Sequence, residues 1–96
     1  MTYSFHLAAE AEFESAVEFY DDCEEGLGDE FEQEVFATIT RIVKYPESWP
    51  RHTHRSRRCH CNRFPYSIIY RLNDAEITIY AIMHQKRKPG YWKDRL

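Results

Sequence analysis

Glycine and proline are scarce in this chain, three and four of 96 residues, which excludes a loop-dominated or low-complexity protein. Cysteine is scarcer than a disulfide scaffold needs. Cys23, Cys59 and Cys61 make an odd count, which fits a reducing compartment. No apolar run approaches the roughly 18 residues of a membrane span, and the first residues lack the basic-then-apolar pattern of an export signal. A cytoplasmic protein that does not engage a membrane is therefore expected. Bases are almost missing from residues 1–50, which hold 13 Asp and Glu against two Lys and Arg. Acids are almost missing from residues 51–96, which hold three against 11. The formal net charge of -3 conceals this division. Aromatics reach 16%, and Phe64, Tyr66, Tyr70, Tyr80, Tyr91 and Trp92 all lie in the basic half. The length leaves room for one core, so a single domain over residues 1–96 is expected.

Alternation over Tyr3–Leu7 predicts a short strand. Phe13, Ala16, Val17 and Tyr20 then recur at helical spacing within a helix over Ala8–Glu24, and Gly26 supplies its stop. Asp29, with Glu32 three residues on, reads as the capping box of a second helix that runs to about Tyr45. Its stripe is Phe31, Val35, Thr38 and Ile42, widened by Phe36, Ile39 and Val43. Pro46 ends it. Residues 46–56 contain two prolines, lack periodicity and read as a loop with a basic end. The period then changes to two, which predicts strands over Arg57–Arg63, Tyr66–Leu72 and Glu76–His84. In the last, Ile77, Ile79, Ala81 and Met83 are expected on one face, and Thr78, Tyr80, Ile82 and His84 on the other. A basic, aromatic tail over Gln85–Leu96 follows. Short connections imply antiparallel neighbours. The expected fold is α+β: an N-terminal strand and an antiparallel helical hairpin packed on a three- to four-stranded, mainly antiparallel sheet.

Chemistry-bearing residues concentrate in the basic half. Alternation puts Arg58, His60 and Asn62 on one side of their strand, and Arg57, Cys59, Cys61 and Arg63 on the other. Arg71, His84, Arg87 and Lys88 can converge on one end of the sheet. Such a face offers phosphate contacts and a proton carrier, which suffices for metal-free RNA cleavage by 2′-hydroxyl attack. The simpler reading is a binding face for an acidic partner. Cys59-His60-Cys61, with His52 and His54 upstream, invites a zinc reading, but the usual C-x2-C spacing and a second ligand pair are absent. Two small buried apolar cysteines are the plainer account. Cys59 with His60 or His84 as nucleophile and base lacks a group to orient the base. Tyr91-Trp92 is suited to stacking on a base or anchoring a partner, or to folding Trp92 back over the core. No metal and no cofactor are expected.

Four runs carry a family resemblance. Arg57-Arg58-Cys59-His60-Cys61-Asn62-Arg63-Phe64-Pro65-Tyr66 leads into Ser67-Ile68-Ile69-Tyr70-Arg71. Ala81-Ile82-Met83-His84-Gln85-Lys86-Arg87-Lys88-Pro89-Gly90-Tyr91-Trp92 closes the chain. Ala8-Ala9-Glu10-Ala11-Glu12-Phe13 and Gly26-Leu27-Gly28-Asp29-Glu30-Phe31 open the helices. Together they resemble the RelE/ParE superfamily of toxins from bacterial type II toxin–antitoxin operons, over nearly the whole chain. The resemblance implies a toxin neutralised by a cognate antitoxin, with operator DNA contacted only through that antitoxin. RelE-like members cut messenger RNA in the ribosome, and ParE-like members inhibit DNA gyrase. The RelE-like set would map onto Arg58, Arg63, His84, Arg87 and Tyr91. The loop ahead of the first core strand, however, offers Arg51, His52, His54 and Arg55 instead of the lysines of RelE-like sites. The closing run is more similar to the ParE branch, so inhibition of gyrase is expected, with ribosome-dependent mRNA cleavage as the alternative. A non-toxic remnant or regulatory module is the third reading.

Overall fold

In a computed structural model, residues 1–88 and 90–96 are described; Pro89, part of the closing run and the basic tail, lies outside them. The elements are β1 (Thr2–Phe5), α1 (Leu7–Cys23), α2 (Leu27–Lys44), β2 (Arg51–Thr53), β3 (Ser56–His60), β4 (Tyr66–Asn73) and β5 (Glu76–His84), with a final 3-10 turn over Lys93–Arg95. They form two helices on one five-stranded mixed sheet in the order β1-β5-β4-β3-β2. The sheet is larger than the three to four strands expected, because residues 51–53 of the predicted loop pair with β3 through Arg51↔Arg57. Three residues are too few for alternation to show. Their partners hold them in place, with the Arg58 N–H donating to Pro50 C=O at 3.0 Å. β1 runs parallel to β5, and the other pairings are antiparallel.

His6 ends the first strand early. Its Nδ1 accepts from the Ala8 N–H at 3.1 Å, so it caps α1 rather than continuing β1. α1 ends at Cys23 with Glu24 as its C-cap, so Gly26 is not its stop; at φ +86°, as its freedom from a Cβ allows, Gly26 stands as the N-cap of α2. Asp29 is therefore not the cap; it lies inside the first turn of α2. The capping carboxylate belongs to Asp21 of α1, whose Oδ1 accepts from the Gly28 N–H at 2.8 Å. A Cβ on Gly28 would come within 2.5 Å of the Asp21 carboxyl group, so any larger residue there would have to displace the capping carboxylate.

The stripe read from α2 is buried as expected: Phe31, Val35, Thr38, Ile39 and Ile42 face the sheet, while Phe36 is half exposed. They pack with Ala9 and Ala16 of α1 against Cys59, Ile68, Tyr70, Ile77, Ile79 and Ile82. The inclusion of Ile82 corrects the predicted face of β5. Ile69 pairs with Ala81 but Tyr70 pairs with Ile79, so Tyr80 is an extra residue on β5. A bulge of one residue reverses the side-chain alternation beyond it. Ile77, Ile79, Ile82 and His84 thus share the helix side, and Ala81 and Met83 turn to the opposite face. There, with Ile69, they are covered by Trp92 of the tail, which is fully buried. The sheet has two apolar faces, and the helical hairpin covers only one.

Candidate functional site

β1 accompanies β5 only from Glu76 to Ile79, so among the described residues no strand pairs with the second half of β5 on that side. Alongside it runs α1. Between them lies a groove of about 410 Å³ whose lining includes Glu12, Ser15, Phe19, Tyr66, Ile82, His84 and Arg87. Glu12 organises it. One carboxylate oxygen accepts from the Ile82 N–H at 3.1 Å and from Arg95 Nη1 at 2.9 Å; the other accepts from Arg95 Nη2 at 3.1 Å and from the Tyr91 hydroxyl at 2.7 Å. Arg95 also donates to Tyr80 C=O at 2.9 Å. Glu12 and Arg95 so occupy edge positions beside the bulge that a neighbouring strand would otherwise fill. The Arg87 guanidinium lies 3.8 Å from the centre of the Tyr91 ring, a cation–π contact, and the ring of His84 meets Tyr66 edge-on. The Lys86 N–H donates to His84 Nδ1 at 3.0 Å, which places the proton of the neutral ring on Nε2. Burial, then the hydrogen bond to Glu12, pushes the Tyr91 phenol far above its usual range. It is a fixed donor at neutral pH.

The five residues singled out for RNA chemistry fall in three places. His84, Arg87 and Tyr91 gather at this groove. Arg58 lies on the opposite face of the sheet, paired in register with Ile69. Arg63 lies beside α2, where it forms an ion pair with Glu30 and stacks over Phe64. Around Arg58 sits a second group of basic and polar side chains. His52 packs against Trp92 at 5.2 Å between ring centres, and burial, followed by the charges of Arg58, Lys93 and His60, lowers its pKa. His60 Nδ1 is hydrogen-bonded to Ser67 Oγ at 2.5 Å. The Nε of Arg58 and the indole Nε1 of Trp92 are buried without a partner among the described residues.

The cysteine readings do not assemble. Cys59 points into the helix-side core and His60 to the other face, as the alternation predicted. Burial raises both the Cys59 and Cys61 thiols, which disfavours the thiolate that either a nucleophile or a zinc ligand requires. Among the described residues no group of three His, Cys, Asp or Glu side chains is arranged to hold a metal ion. Glu12 and Arg95 were missed by the sequence reading. The signal for Glu12 was present, since it stands three residues after Ala9 and four before Ala16, on the buried stripe of α1.

The model of the ParE toxin of type II toxin-antitoxin systems, parDE, matches residues 3–89. A solved structure titled as the chromosomal ParDE TA system from P. aeruginosa shares the fold, with a TM-score of 0.77 at 17% identity, over 88% of this chain and 95% of that one. No curated protein sequence matches. Strand order, helical hairpin and family model agree, and the chain belongs to the ParE toxin family of type II toxin–antitoxin systems.

Proposed function

We propose that this chain arrests bacterial growth by binding DNA gyrase in the cytoplasm, and that a cognate antitoxin holds it inactive. The observation that carries the reading is the ParE family match over residues 3–89. The dispersal of Arg58, Arg63 and the His84–Arg87–Tyr91 group adds support. Cleavage by 2′-hydroxyl attack needs a base, an acid and cations around one phosphate, whereas a binding surface needs no such convergence. The antitoxin's place is the groove beside α1. Phe19 is 58% exposed there among apolar and charged lining residues, which suits an amphipathic segment of another chain. Contact with operator DNA then runs through the antitoxin alone.

The test combines two measurements. Induced alone in a bacterium, the chain should depress thymidine incorporation before methionine incorporation, and the purified protein should inhibit supercoiling by purified gyrase. Unimpaired supercoiling at saturating protein would refute the reading. A ribosome-dependent endoribonuclease is the second reading, favoured by the meeting of His84, Arg87 and Tyr91 at one groove. It requires that translation fall first, and that His84→Ala and Arg87→Ala abolish toxicity while folding persists. Soluble protein with no effect on growth would leave the regulatory or remnant reading.

A further inference from the structure

β3 pairs with β4 only as far as Arg57↔Tyr70, while β4 continues to Asn73 with β5 as its neighbour. Where β3 and β4 part, a cleft of about 260 Å³ opens, far along the sheet from the α1 groove. Four arginines line it: Arg51 from β2, Arg55 from the β2–β3 turn, Arg57 from β3 and Arg71 from β4. His54 joins them, and Glu47 is the one acid. The two ion pairs among the described residues, Arg63–Glu30 and Arg95–Glu12, involve none of the four. Arg57 Nη1 donates to Trp49 C=O at 2.9 Å, and Arg51 Nη1 donates to His54 C=O at 3.0 Å. Both guanidiniums are thus steadied by neutral carbonyls through one nitrogen, so their charge is not compensated and their other N–H groups remain for a ligand. Four like charges around one cleft repel each other, and Glu47 offsets one of them. The remaining excess calls for an anion of about two or three charges.

We propose that this cleft is an oxyanion site that takes a phosphate group or a pair of linked phosphates. A planar carboxylate presents two oxygens in one plane. A tetrahedral phosphate presents oxygens in several directions, which suits guanidiniums approaching from two strands, a turn and a third strand. The ligand's source is either free phosphate and diphosphate or the backbone of a nucleic acid. The site is independent of the gyrase reading, because it is tested by binding to the isolated chain.

The experiment titrates the purified full chain with inorganic pyrophosphate while following the arginine Nε–H signals by NMR. Signals of Arg51, Arg55, Arg57 and Arg71 should shift together and saturate, while Arg63 and Arg95, committed to carboxylates, should not. Arg55→Ala with Arg71→Ala should weaken binding about tenfold or more, and Lys86→Ala, which removes a charge elsewhere, should leave it unchanged. Arg55→Gln, in the exposed turn, serves if the double variant does not fold. A single-stranded oligodeoxynucleotide that displaces pyrophosphate from the same four signals identifies the nucleic acid backbone as the source; a failure to displace it identifies free phosphate. No shift, a shift common to all arginines, or a response to oligoglutamate without one to pyrophosphate would overturn the proposal.

Discussion

At the start of α2 the group that meets the bare backbone N–H groups is the carboxylate of Asp21, from the preceding helix, while Asp29 contributes only its charge near the positive end of the helix dipole. Asp21→Ala should therefore lower stability by about 1 kcal/mol. Asp29→Ala should cost less, and urea midpoints of the two variants make the comparison. A larger loss at Asp29 would contradict this assignment of the cap. Tyr70 gives a second test at this scale. Its hydroxyl donates to Pro46 C=O at 2.6 Å, and burial, against the opposing charge of Arg57, pushes its pKa up to about 12. The unfolded phenol titrates near 10. Between these values the folded chain binds the proton more tightly than the unfolded one. The resulting stabilisation is complete below about pH 10 and is lost as pH rises toward 12. Tyr70→Phe should cost about 1 kcal/mol at pH 7 and should flatten the decline in stability above pH 10. Equal slopes of urea midpoint against pH in the two proteins would exclude this role for Tyr70.

The elements differ in how much of themselves they disclose in advance. Both helices were legible because each buries a stripe at helical spacing against the sheet, and β4 because its run was long and apolar enough to show. β2 was not, since three residues carry no period and their strand state comes from β3. The Tyr80 bulge was invisible for a related reason: an inserted residue is defined by the partner's register, and no glycine marks it here. At the candidate site, His84 and Arg87 stood out in the basic half, but Glu12, which ties Tyr91, Arg95 and β5 together, was hidden among 13 acids of the first fifty residues. The bulge makes a sharp prediction about β5. Unbroken alternation would leave Ile82 beside Thr78 on the face away from the helices, whereas Ile82 is 2% exposed in the helix-side core. Ile82→Ala should then cost about 2–5 kcal/mol, the usual loss for a buried aliphatic side chain. Thr78→Ala should cost under about 1 kcal/mol, as expected of a residue outside that core. Chemical denaturation of the two variants decides between the bulged and the regular strand.

For the molecule as a whole, the division of charge along the chain becomes a division in space, because the acidic half forms the helix layer and the basic half forms most of the sheet and the tail. Among the described residues only Glu30 and Glu12 reach across to arginines as ion pairs. The chain therefore has a negative side and a positive side, although its formal net charge is only -3. Its principal extents are 39 × 27 × 21 Å. At about 0.01 M salt the Debye length is about 30 Å, comparable to those extents, so a polyanionic surface senses both layers and the net negative charge opposes binding. At about 0.1 M the Debye length is about 10 Å. The far acidic layer is then screened, and the basic face alone meets the surface. Above about 0.3 M these contacts are screened in turn. Retention on immobilised heparin at pH 7.5 should accordingly rise from the lowest salt, pass through a maximum near about 0.1 M, and fall again. A protein with its charges evenly mixed and the same net charge would pass through at every salt concentration. A steady decline from the lowest salt would mean that the acidic layer is not felt at the basic face, so that the helices do not restrain how this face meets a polyanionic partner.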